Sequence, residues 1–138
     1  MFIRSALAFF LIVSAAPAFS QAAPAKKSTV TAAVPAPDDR ARQWLVLVDD
    51  KNYAQSWTEA SRSFQAKQKT QDWATQEAAK REPFGAVASR DLKSIDLGKA
   101  NVAVIRYDTV FAHKAQAVET VTLAFENGGW AVTSYSVD

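Results

Sequence analysis

The spacing of apolar residues changes character at Gly85. From Asp38 onward, Ala41, Trp44, Leu45 and Val48 recur at helical intervals, with Asp38 or Asp39 in place to cap the first turn. A second helical stretch, roughly Tyr53 to Phe64, sets Tyr53, Trp57, Ala60 and Phe64 on one stripe. The third starts at Thr70, whose hydroxyl can cap it, and ends before Pro83, because proline disfavours helical geometry in the residue preceding it. Trp44, Trp57 and Trp73 at these spacings read as core rather than as a ligand platform.

Beyond Gly85 the period falls to two. Residues 87–97, 101–111, 117–126 and 130–137 alternate, separated by Gly98-Lys99, Ala112–Gln116 and Asn127–Gly129. This predicts an α+β fold: three N-terminal helices packed on a curved, cone-like, four-stranded antiparallel meander sheet.

Turn lengths then predict which strand positions face the helices, because a slip of one residue exchanges the faces. In strand 101–111 the more apolar side is Ala103, Ile105, Tyr107, Thr109 and Phe111. A five-residue loop at 112–116 sets Phe111 opposite Ala117, Thr109 opposite Glu119, Tyr107 opposite Val121, Ile105 opposite Leu123 and Ala103 opposite Phe125. A two-residue Asn127-Gly128 turn sets Phe125 opposite Trp130 and Leu123 opposite Val132. A Gly98-Lys99 turn sets Leu92 opposite Ile105 and Arg90 opposite Tyr107, with Ile95 and Leu97 outward. One helix-facing surface therefore carries Arg90, Tyr107, Thr109 and Glu119. A guanidinium and a carboxylate there need pairing, hydrogen bonds or water. Two readings follow: an Arg90–Glu119 ion pair that fixes register, or a pocket in which Arg90 binds an anionic or carbonyl group oriented by Tyr107 and Glu119.

The rest of the chain sets limits. Residues 1–20 combine Arg4, an apolar stretch over 5–16, Pro17 and small residues near Ser20, which predicts a secretory signal peptide cleaved near Ser20. Its apolar run falls short of the roughly 20 residues a membrane-spanning helix needs. Residues 21–37 are rich in Ala, Pro, Ser and Thr with no aromatic, so they read as a disordered linker, and 38–138 as one domain. Arg4, Lys26 and Lys27 lie before that domain, which keeps 13 basic against 14 acidic residues, both signs interspersed. No nucleic-acid footprint is expected from such a surface.

The chain has no cysteine and a single histidine, His113, placed in a turn beside Lys114. Disulfides, thiolate metal sites and Cys–His pairs are absent. Gly-rich phosphate loops and a G-x-S-x-G elbow are absent too, so no cofactor, metal or catalytic residue is expected. Arg81 falls in the last helical turn, where a cation complements the dipole, and Asp49 and Asp50 oppose the dipole at another helix end.

Four stretches, "WLVLVDDKNYAQSW", "REPFGAVASRDL", "VFAHKAQAVETVTL" and the closing "GGWAVTSYSVD", resemble the domain-of-unknown-function family 4019 of bacterial exported proteins. The likeness spans roughly residues 41–137. Its motif positions fall on Trp57, Arg81, Pro83, Gly85, Arg90, Glu119 and Thr120, and carry no catalytic role. Where the family has "FANK", this chain has Phe111-Ala112-His113-Lys114, and a Gly-Tyr near the end is here Ser134-Tyr135. The plan also resembles the nuclear transport factor 2-like and cystatin-like group, which includes enzymes and non-catalytic domains alike. The expectation is an exported, periplasmic, non-enzymatic module that binds a small ligand or an envelope protein. The alternative is an acid–base enzyme of isomerase or dehydratase type using Glu119 and Tyr107. A third class, an envelope-interaction protein, predicts an exposed apolar patch.

Overall fold

The computed structural model describes residues 33–138; the signal peptide expected over 1–20 and the linker up to residue 32 lie outside the described residues. Helix α1 spans Pro37–Asp49, with Pro37 at its first turn, where a missing N–H is harmless. Asp38 does not cap it as expected. Its N-cap is Ala36, with no side-chain cap bond. The second predicted helix is two, α2 (Tyr53–Glu59) and α3 (Arg62–Lys67). The chain breaks at Ala60 because Ser61 turns extended and its hydroxyl accepts the Phe64 N–H at 3.1 Å, starting a new helix. Helix α4 covers Thr70–Arg81, with Thr70 its first residue and Lys69 its N-cap. Pro83 sits in a 3-10 turn, Glu82–Phe84, and Gly85 follows at φ +74°.

The sheet runs β1 (Val87–Leu97), β2 (Val102–Phe111), β3 (Lys114–Glu126) and β4 (Gly129–Val137), in that spatial order, all antiparallel. The predicted inward set on β2 is correct: Ala103, Ile105, Tyr107, Thr109 and Phe111 are all buried. Two registers differ from expectation. The β2–β3 turn is Ala112-His113 rather than five residues, and an irregularity between Thr109 and Phe111 adds one residue on the β3 side, so Tyr107 faces Glu119, Thr109 faces Ala117, Ile105 faces Val121 and Ala103 faces Leu123. The shift is even, which is why the faces survive it. The β1–β2 turn runs through Ala100 and Asn101, both left-handed, and β1 carries two bulges, so Arg90 faces Thr109, Leu92 faces Tyr107 and Ile95 faces Ile105. Ile95 and Leu97 thus share a side with buried β2 residues, yet stay 42% and 71% exposed. The β3–β4 register is as expected, Phe125 with Trp130 and Leu123 with Val132.

The helices cover the sheet through an aromatic core. Trp44 is fully buried between Trp73, Tyr135 and Phe64, and Phe64 meets Trp73 edge-on at 5.0 Å. Both indoles are tied to α2: Trp44 Nε1 donates to the Ser56 carbonyl at 2.7 Å and Trp73 Nε1 to Ser56 Oγ at 3.0 Å. Trp57 packs against this core, half-buried, with its N–H on the Gln68 carbonyl. Among the described residues no helix is long and apolar enough to cross a membrane.

Candidate functional site

The functional question centres on Glu119, in mid-β3 and wholly buried. Its carboxylate accepts five hydrogen bonds: Arg81 Nη1 (2.8 Å), Tyr135 hydroxyl (2.6 Å) and Arg90 Nη2 (3.1 Å) on Oε1, with Arg90 Nε and Thr109 hydroxyl (both 2.6 Å) on Oε2. Arg81 Nη1 also donates to the Tyr135 hydroxyl at 2.7 Å. Asp49 closes the ring: Oδ1 accepts from Arg81 Nη2 (2.6 Å) and Arg90 Nη2 (3.0 Å), and Oδ2 from Arg90 Nη1 (2.7 Å). Two carboxylates and two guanidiniums, from α1, α4, β1 and β3, thus neutralise one another, with hydroxyls from β2 and β4 completing the lone pairs.

Burial would raise the Asp49 carboxyl, but hydrogen bonds and charge from Arg90 and then Arg81 outweigh it and hold it below its usual value. For Arg90, burial alone would weaken the charged form; the hydrogen bonds to Asp49 and Glu119 more than reverse that and raise its pKa. Tyr135 is raised by burial and then by the charge of Glu119, so it stays a neutral donor. The ensemble is a satisfied buried network.

Of the four predicted site residues, the structure joins Arg90, Thr109 and Glu119. Tyr107 stands apart. Its Cα pairs with Glu119, but its hydroxyl turns to α1 and donates to Asp38 Oδ1 at 2.6 Å, with the Arg42 guanidinium over its ring. Burial, followed by the Asp38 hydrogen bond, raises its pKa. Sequence reasoning missed Asp49, Arg81 and Tyr135. Arg81, expected to serve only the helix dipole, is 6% exposed at the centre of the network, because it lies on the same α4 stripe as Trp73 and Glu77. Spacing of four from Trp73 through Glu77 was the available signal. Tyr135 faces inward because a register shift at Thr133 reverses the alternation after Val132.

The outer edge of the network meets a cleft of about 370 Å³ lined by Asp49, Lys51, Tyr53, Arg81, Glu82, Gly85 and Ala86, among others. Among the described residues, the Lys51 and Glu82 side chains form no salt bridge and the Tyr53 hydroxyl no hydrogen bond. The described residues contain no cluster of His, Asp and Glu arranged to hold a metal ion. His113 is an exposed turn residue, as expected.

Residues 40–135 match the model of a family described as protein of unknown function, DUF4019. A crystal structure from Campylobacter jejuni, described as a candidate NTF2-like transpeptidase, is similar at a TM-score of 0.56 and 20% identity, covering 71% of this chain and 97% of that one. At that identity the likeness is one of fold. No curated protein matches the sequence.

Proposed function

Since the chain belongs to the DUF4019 family of proteins of unknown function and has an NTF2-like α+β fold, we propose that it is an exported, non-enzymatic module that binds a small polar molecule in the cleft beside the Asp49–Arg81 pair. The observation that carries this reading is the division of labour between network and cleft. Glu119 is buried and spends its lone pairs on Arg81, Arg90, Thr109 and Tyr135, so it has none to offer as a base. The Tyr107 hydroxyl donates to Asp38 and makes no hydrogen bond to Glu119, the strand partner it would have to serve as an acid. The cleft, by contrast, has Lys51, Tyr53 and Glu82 at its walls and a volume within the roughly 300–1,000 Å³ usual for ligand sites. Asp49 and Arg81 shape the floor and Lys51, Tyr53 and Glu82 meet the ligand. Export is supported by the leader pattern over residues 1–20.

Native mass spectrometry of protein purified from its own periplasm tests both halves. A retained small molecule, lost in Ala78→Leu, where the cleft wall is filled, supports the reading. Retention unchanged by that filling, or recovery of the protein solely in the cytoplasm, refutes it. The partner-binding form of the same proposal rests on Leu92, Ile95 and Leu97, exposed by 42%, 42% and 71% along the edge strand β1. If an envelope protein docks there, Leu97→Lys should abolish its recovery after crosslinking in cells without altering the mass of any cleft-bound molecule.

A further inference from the structure

Helix α4 buries three residues at four-residue spacing, Trp73, Glu77 and Arg81. The middle one is the anomaly. Glu77 is fully buried, and neither carboxylate oxygen has a hydrogen-bond partner. An ionised carboxylate in that state would be heavily penalised, whereas a neutral acid is tolerated. The groups around it come from several elements: Lys80 and Arg81 on its own helix, Tyr53 on α2, Glu119 on β3 and Tyr135 on β4. Asp49 of α1 joins through Arg81.

We propose that Glu77 is a proton-operated latch on Arg81: neutral, it leaves Arg81 bound to Asp49 and Glu119, and on losing its proton it draws that guanidinium away from Asp49 and loosens the floor of the cleft. The geometry supplies each part. Glu77 precedes Arg81 by four residues, the spacing at which a carboxylate and a cation on one helix can meet. Arg81 is 7% exposed at the side chain and already shared between two carboxylates and a hydroxyl, so a third carboxylate competes with existing partners. Asp49 is the partner that yields. Its side chain is 24% exposed, so water can replace the Arg81 bond, while Glu119 is sealed and keeps its donors. Burial pushes the Glu77 carboxyl up to about 7, against the pull of Lys80 and Arg81 and with a further push from Glu119, which places the transition near neutrality. The latch operates whether or not the cleft is occupied, so its test is independent of any ligand.

The test is an NMR titration of the purified protein from pH 4 to 9, following the Glu77 carboxyl carbon and the Arg81 guanidinium together, in the wild type and in Glu77→Gln. The expected result is a Glu77 midpoint near 7, Arg81 signals moving with the same midpoint, and Arg81 signals that hold still in Glu77→Gln. Denaturation should show the wild-type folding constant falling by roughly 80-fold as pH rises from 4.5 to 7, the interval between the ordinary and folded values, with the decline absent from the variant. A Glu77 midpoint near 4.5, a static Arg81 in the wild type, or an Arg81 shift that persists in Glu77→Gln would overturn the latch. Should the variant fail to fold, the wild-type midpoints decide the matter alone.

Discussion

A carboxylate that accepts five hydrogen bonds out of reach of water is a liability unless every donor stays in place, and Glu119 is such a group. Glu119→Ala leaves two guanidiniums facing Asp49 alone, and Arg90→Ala leaves Glu119 and Asp49 short of donors; each should destabilise the domain by about 3–5 kcal/mol. Because the two substitutions remove the same interaction, the double variant should lose less than the sum of the singles; additive losses in urea denaturation would falsify the pairing as an energetic unit. The two inward tyrosines separate in the same assay. Tyr107→Phe loses one bond, to Asp38, at about 1 kcal/mol, and leaves the network intact. Tyr135→Phe removes a donor to Glu119 and an acceptor for Arg81 at once and should cost about twice as much. Arg90, Thr109 and Glu119 were legible in the sequence because alternation alone carries them inward. Arg81 was not, because a cation in the last turn of a helix has a sufficient local explanation in the dipole; Asp49, which opposes the dipole at its own helix end, was not, because only the third dimension shows α1 and α4 ending side by side.

At the scale of elements, the joint between α4 and the sheet depends on one backbone position. Gly85 has φ +74°, and a Cβ there would lie 2.9 Å from His113 Cδ2 and 3.2 Å from Ala112 Cβ. The approach is close because the β2–β3 hairpin tip is bonded to this segment, His113 N–H to the Phe84 carbonyl at 2.9 Å and Ala112 N–H to the Ala86 carbonyl at 2.8 Å. Gly85→Ala should therefore destabilise by about 1–3 kcal/mol through left-handed strain and the clash together. Adding His113→Ala should recover only the part due to the imidazole, which a melting-temperature series of the two single variants and the double would resolve. Period and turn residues disclosed the strands and the helix-to-sheet switch here. They did not disclose that the β2–β3 turn has two residues, since Lys114–Gln116 is polar enough to pass as loop and joins β3 only because its backbone pairs with β2. Bulges were equally hidden: nothing in the side chains of Lys93 or Thr133 announces an extra residue, and each alters which later positions face the helices.

The whole molecule adds these local charges into one pH profile, and two of them act with opposite sign. Asp49 is depressed in the folded state, so its stabilisation is present above the ordinary value of 3.8 and is lost as pH falls through the lower folded value. Glu77 is raised, so its contribution is fully present below 4.5, declines as pH rises to about 7 and changes no further above that. The sum has its maximum at about pH 4–5, well on the acid side of neutrality, with an acid limb owned by Asp49 and a neutral-side decline owned by Glu77. Urea midpoints measured from pH 3 to 8 should trace that shape in the wild type. Asp49→Asn should lower the curve throughout, because Arg81 and Arg90 then share one carboxylate, and should also flatten its acid limb while sparing the decline above pH 5. If the acid limb keeps its slope in Asp49→Asn, the protonation that unfolds the domain in acid belongs to a carboxylate other than the one at the cleft floor.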